Sequence, residues 1–111
     1  MTIRPMLEDL IVRFNRRMEN DEQLQNELDG MRKSVQLDLD SEQYHFMLEN
    51  RSIDCLCEGK IENPDITLIS DPETLQGIIE GKIKPIKAFA LRKVRIKGQI
   101  EDMLRLRKLF S

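Results

Sequence analysis

The side chains best suited to covalent or metal chemistry are few: Cys55, Cys57 and a single histidine, His45. The two cysteines stand two apart in a segment that reads as a strand. They point to one face there and are poorly placed to bridge each other. Zinc wants four ligands, or three and a water, and two thiols with one imidazole do not supply them. Both cysteines are therefore expected to be small, buried, reduced hydrophobes in the cytoplasm, without metal. His45 falls opposite Tyr44 and Phe46 in its strand, on the side expected to be exposed, with no partner for acid–base work. Glu42 and Glu49 lie apart at strand ends. There is no glycine-rich phosphate loop and no nucleophile elbow. The expectation is a non-catalytic protein with no cofactor.

The elements that would position any site follow from periodicity. Leu7, Leu10, Ile11, Phe14 and Met18 recur at three- and four-residue spacing, one face of an amphipathic helix that Pro5 suits at its first turn. Asn20 and Gln23 predict the cap of a short second helix bearing Leu24 and Leu28, stopped by Gly30. The period then becomes two. Val35, Leu37 and Leu39, then Tyr44, Phe46 and Leu48, then Ile53, Cys55 and Cys57 predict three antiparallel strands with short turns. In that phase Met47 and Leu56 fall on the outer side, as a candidate apolar surface patch.

Past Asn63 and Pro64, the apolar run Ile66 to Ile69 predicts an interior strand. Asp71, Pro72 and Glu73 announce a helix carrying Leu75, Ile78 and Ile79, which Gly81 ends. Pro85 opens another short helix with Ile86, Phe89 and Ala90. Val94 and Ile96 mark a fifth strand with Gly98 as a kink, and Met103, Leu104, Leu106 and Leu109 a last helix. The fold class is α+β: a five-stranded, mainly antiparallel sheet covered on one face by helices, in the order α-β-β-β-(crossover)-β-α-β-α.

The 111 residues suit a single domain, 1–111, whose core is aliphatic because only 5 % of residues are aromatic. Charge is unevenly spread. Residues 1–81 hold 8 basic and 18 acidic side chains, and residues 82–111 hold 10 basic and 2 acidic. A basic back favours an anionic partner. Nucleic acid is not expected, because the acidic front repels it and Phe89 and Phe110 are the only aromatics in the back third. No apolar stretch is long enough to span a membrane, and no secretory leader is expected at the start.

From Pro64 to Phe110 the chain resembles the sterol carrier protein type 2 (SCP-2) domain of animal sterol carriers and many prokaryotic stand-alone proteins. The matching points are Asp65-Ile66-Thr67-Leu68, the helix end Gly81-Lys82, Pro85, the pair Ala88-Phe89, and the basic strand Lys93-Val94-Arg95-Ile96-Lys97-Gly98, all in register without a gap. The chain departs from that pattern at Arg92, where the family often has glycine. It departs again at Glu101 and Asp102, where small and apolar residues usually open the last helix.

The resemblance implies non-catalytic binding or transfer of a lipid in an apolar tunnel between sheet and helices. On that framework Leu75, Ile78, Ile79, Ile83, Phe89, Ile96, Ile100, Met103 and Leu104 are expected on the tunnel wall. A linear acyl chain or fatty acid fits the charged last helix better than a bulky sterol. Lys93, Arg95, Lys97, Arg105, Arg107 and Lys108 are expected to make transient contact with anionic membrane at the tunnel mouth. The alternative is a protein-interaction module of the same fold with a filled core and no ligand.

Overall fold

The computed structural model describes residues 2–54, 56–99 and 101. Helix α1 (Arg4–Asn20) buries Leu7, Phe14 and Met18, with Leu10 and Ile11 half-buried on the same stripe. Side chains at this spacing share a face, which is why one stripe of α1 meets the sheet. Its start is tied down: the Ile3 N–H donates to the Glu42 carboxylate at 3.0 Å, and Arg4 pairs with Glu58 at 2.8 Å. Helix α2 (Glu22–Glu27) is capped by Asp21, which accepts from the Leu24 N–H at 3.1 Å. The cap is thus one residue later than the sequence pattern predicts. Asn20 is still helical, and its amide donates back to the Arg16 carbonyl.

Strands β1 (Lys33–Leu39) and β2 (Glu42–Glu49) form a hairpin whose turn holds Asp40 at φ 66°. The edge strand has two pieces, β3 (Ser52–Ile53) and β4 (Cys57–Glu58), both antiparallel to β2. After the crossover, β5 (Ile66–Ile69) pairs parallel to β1, and β6 (Arg95–Lys97) pairs antiparallel to β5. The path β3-β2-β1-β5-β6, with β4 continuing the edge, is the expected five-stranded sheet with one strand interrupted.

That interruption corrects two expectations. From Leu48↔Ile53 to His45↔Cys57 the pairing advances three residues on β2 and four on the edge. One extra residue in one strand is a β-bulge, and it reverses which side chains face the core. Leu56 is therefore buried and not part of a surface patch, and Cys57 is exposed and not buried. Cys55 lies outside the described residues. Asn15 of α1 grips the same edge from both sides. Its amide donates to the Ile53 carbonyl at 3.0 Å and accepts from the Ile53 N–H at 2.8 Å. Edge backbone groups left open invite pairing with other chains, and this clamp closes two of them.

The sheet face away from α1 is polar and partly covered by the segment after β4. Gln36, buried there, donates to the Tyr44 and Gly59 carbonyls and accepts from the Ile61 N–H. His45 also lies on this face, but it is half-buried, not exposed, with Nδ1 3.1 Å from the Gly59 carbonyl.

Helix α3 (Pro72–Ile79) begins as the sequence predicts. Asp71 accepts from the Thr74 N–H at 2.7 Å and from the Thr74 hydroxyl at 2.8 Å. Gly98 sits at φ 151°, and a Cβ there would meet the Asp65 carbonyl at 3.1 Å, so the exit from β6 needs glycine.

Helix α4 (Pro85–Ala90) ends at a turn that holds Arg92 at φ 58°. This is the position where the resembled family often has glycine, and the left-handed backbone is the physical reason. A non-glycine residue pays about 1–2 kcal/mol there. Arg92→Gly is expected to stabilise the chain by up to about 1 kcal/mol after the added unfolded-state entropy of glycine. A rise in the urea midpoint at unchanged slope checks this; a fall in the midpoint refutes it.

Candidate functional site

The apolar face of α1 does not close fully on the sheet. Between them lies a cavity of about 50 Å³ with almost no polar atoms on its walls. Leu7, Leu10, Ile11 and Phe14 form its helix side, Val35, Leu37, Phe46, Ile53 and Leu68 its sheet side, and Leu56 and Leu75 complete its walls. A second apolar cavity, of about 10 Å³, is walled by Leu68, Leu75, Ile78, Pro85, Phe89 and Val94. Leu68 and Leu75 line both, so the two cavities are neighbours that share these two walls. A water needs about 10–15 Å³ and two or more polar partners, which such walls do not offer.

Of the expected wall residues, Leu75, Ile78 and Phe89 come together around the second cavity. Ile83 and Ile96 pack against the core, Ile83 over Gly77 of α3 and Ile96 beside Leu68 in the sheet. Ile79 lines a separate open groove between α1 and α3, whose rim carries Asp9, Glu42, Asp71 and Glu73. Ile100, Met103 and Leu104 lie outside the described residues. The larger cavity draws mainly on the front half of the chain, whereas the resemblance places every expected wall residue in the back half. The available signal was the apolar stripe of α1, which has to lie on the sheet and therefore borders any space there.

Among the expected membrane-contact residues, Lys93 lies in the turn after α4. Arg95 and Lys97 are exposed on the sheet face away from the cavities, because Ile96 between them packs inward. Arg105, Arg107 and Lys108 lie outside the described residues.

The titratable groups nearest the framework serve the fold. Asp65, the acid of the Asp-Ile-Thr-Leu motif, accepts from the Ser34 N–H at 2.9 Å and from the Ser34 hydroxyl at 3.2 Å. The backbone bond holds its carboxyl below the usual range, which clips the start of β5 to β1. Burial, followed by the hydrogen bond to Glu42, pushes the Tyr44 phenol up. Among the described residues no cluster of three or more histidines, cysteines or carboxylates is arranged to hold a metal. No described helix is long and apolar enough to cross a membrane.

A helix layer over one face of a mixed sheet, with a small apolar space between them, defines the class of two-layer α+β domains with an apolar interior. The SCP-2 sterol transfer family model matches residues 12–111, and the chain belongs to that family, one of lipid and sterol carrier domains that are in general not catalytic. Solved structures agree on the fold. Palmitated SCP2L2 from Aedes aegypti matches with a TM-score of 0.68 at 20 % identity, covering 100 % of this chain and 96 % of that one. The ubiquinone synthesis protein UbiJ-SCP2 matches with a TM-score of 0.68 at 15 % identity, covering 97 % and 92 %. The sec-alkylsulfatase Pisa1 from Pseudomonas sp. matches with a TM-score of 0.60 at 17 % identity; the match covers 77 % of this chain but only 13 % of that protein. No curated protein matches in sequence.

Proposed function

We propose that residues 1–111 form one carrier domain that binds a single-chain lipid, a fatty acid or another acyl chain, between sheet and helices. The observation that carries this reading is the pair of neighbouring apolar cavities that share Leu68 and Leu75 as walls. Family membership supports a lipid ligand in general. Space of about 50 Å³ takes the volume of roughly three or four waters, far less than a full acyl chain. Loading therefore requires the helix layer to lift and the two cavities to merge. The driving force is removal of methylenes from water, about 0.8 kcal/mol each, so a dozen outweigh any single polar contact before the ordering costs of association.

A fluorescent fatty acid is expected to gain intensity on mixing with micromolar protein and to be displaced by unlabelled fatty acid. Native mass spectrometry of freshly purified protein, with organic extraction, is expected to find acyl ligands. Failure of both, with a melting temperature that no fatty acid raises, overturns the carrier reading in favour of an interaction module with a filled core.

A further inference from the structure

The surface of α4 is unlike the rest of the described molecule. Large exposed hydrophobics are rare, yet Ile86 is 73 % exposed, Leu91 58 % and Phe89 44 %. Six residues of chain hold all three. Ala88 is buried, so the helical period puts Ile86 on the crown, Phe89 on one flank and Lys87 on the other. Lys84 precedes the helix, and Arg92 and Lys93 follow it. Among the described residues none of Lys84, Lys87, Arg92 and Lys93 has a carboxylate partner. Arg92 also keeps its charge at a left-handed turn position that glycine fills without strain.

We infer that α4 and its flanks dock the protein on a bilayer surface rich in anionic phospholipid, with Ile86, Phe89 and Leu91 entering the interface and Lys84, Lys87, Arg92 and Lys93 meeting the headgroups. The shape and charge select this occupant. An apolar crown inside a cationic collar is the arrangement of an interfacial helix. The patch is the outward side of a helix one turn and a half long, too short to present the area that a stable protein partner needs. Phe89 links it to the interior, because the same ring that is half exposed also walls the smaller cavity. Docking there brings the end of the proposed lipid site against the acyl region of the membrane. That link rests on the carrier reading; the docking itself does not.

The test is co-sedimentation of the full chain with phosphatidylglycerol–phosphatidylcholine vesicles and with pure phosphatidylcholine vesicles, at low and high salt. Binding is expected on the anionic vesicles only, and is expected to weaken as salt shortens the Debye length. Each basic residue at an anionic surface contributes about fivefold in partitioning, so Lys84→Gln, Lys87→Gln and Lys93→Gln together are expected to lower it about a hundredfold. Ile86→Ser with Leu91→Ser is expected to lower it at least tenfold. Arg13→Gln, Arg16→Gln and Arg32→Gln, the same charge change elsewhere, are expected to leave most of the binding. All the substituted side chains are exposed, so circular dichroism is expected to stay native. Both patch variants are expected to bind a fluorescent fatty acid in solution as the parent does but to move it between anionic vesicles more slowly. Equal binding to both kinds of vesicle, no loss in either patch variant, or an equal loss in the arginine control overturns the inference. Loss of fatty-acid binding in the parent, with vesicle binding intact, overturns the carrier reading instead.

Discussion

Phe14→Ala is expected to cost about 3–5 kcal/mol, the range for truncating a buried phenylalanine. Phe14 is 7 % exposed, sits in the middle of the α1 stripe and already faces the larger cavity, so the truncation enlarges a void that neighbours cannot fill. A domain of this size holds about 5–15 kcal/mol in total, so the variant sits close to the limit of folding. The melting temperature is expected to fall by roughly 15–30 °C. A lower urea midpoint at unchanged slope, measured in the delipidated protein, gives the value directly. Added fatty acid is expected to recover part of the loss, because a ligand that fills the void binds only the folded state. A cost under about 1 kcal/mol, or no recovery by any acyl ligand, means that α1 does not roof a lipid site.

Leu75→Trp is expected to lower acyl affinity about a hundredfold. Leu75 is 3 % exposed and lines both cavities, so a larger side chain there occupies the space in which they would merge. Keeping about four methylenes of the ligand in water forfeits about 3 kcal/mol, which is that factor in the dissociation constant. Overpacking also costs about 1–3 kcal/mol of stability, so binding is compared at a temperature where both proteins are folded. Gln76→Trp, one residue on and facing outward, is expected to leave affinity within about twofold. If both tryptophans act alike, or Leu75→Trp binds as tightly as the parent, the acyl chain does not pass between the cavities.

The sequence by itself determined the elements and the fold class. The stripe from Leu7 to Met18, the alternation through β1 and β2, and the Asp71-Pro72-Glu73 helix start are local patterns, and local sterics and hydrogen bonding suffice to read them. It also determined the family, because Asp65, Gly81, Pro85 and Gly98 stand in register along the chain; the folded protein gives the reason for two of them, since Asp65 clips two strands and Gly98 fits where a side chain would meet the Asp65 carbonyl. Tertiary structure alone decided the rest. The bulge between β3 and β4 depends on how the edge strand registers on β2, and it turned Leu56 inward and Cys57 outward against the alternation. The site moved forward in the chain for the same kind of reason. Periodicity names the face that must be buried but not how tightly two faces meet. The space between α1 and the sheet is a packing remainder, set by the distances between side chains far apart in sequence. The crown of α4 is likewise a tertiary fact: the spacing sets Ile86, Phe89 and Ala90 on one side of the helix, and the folded chain buries Ala88 and leaves Ile86 and Phe89 exposed.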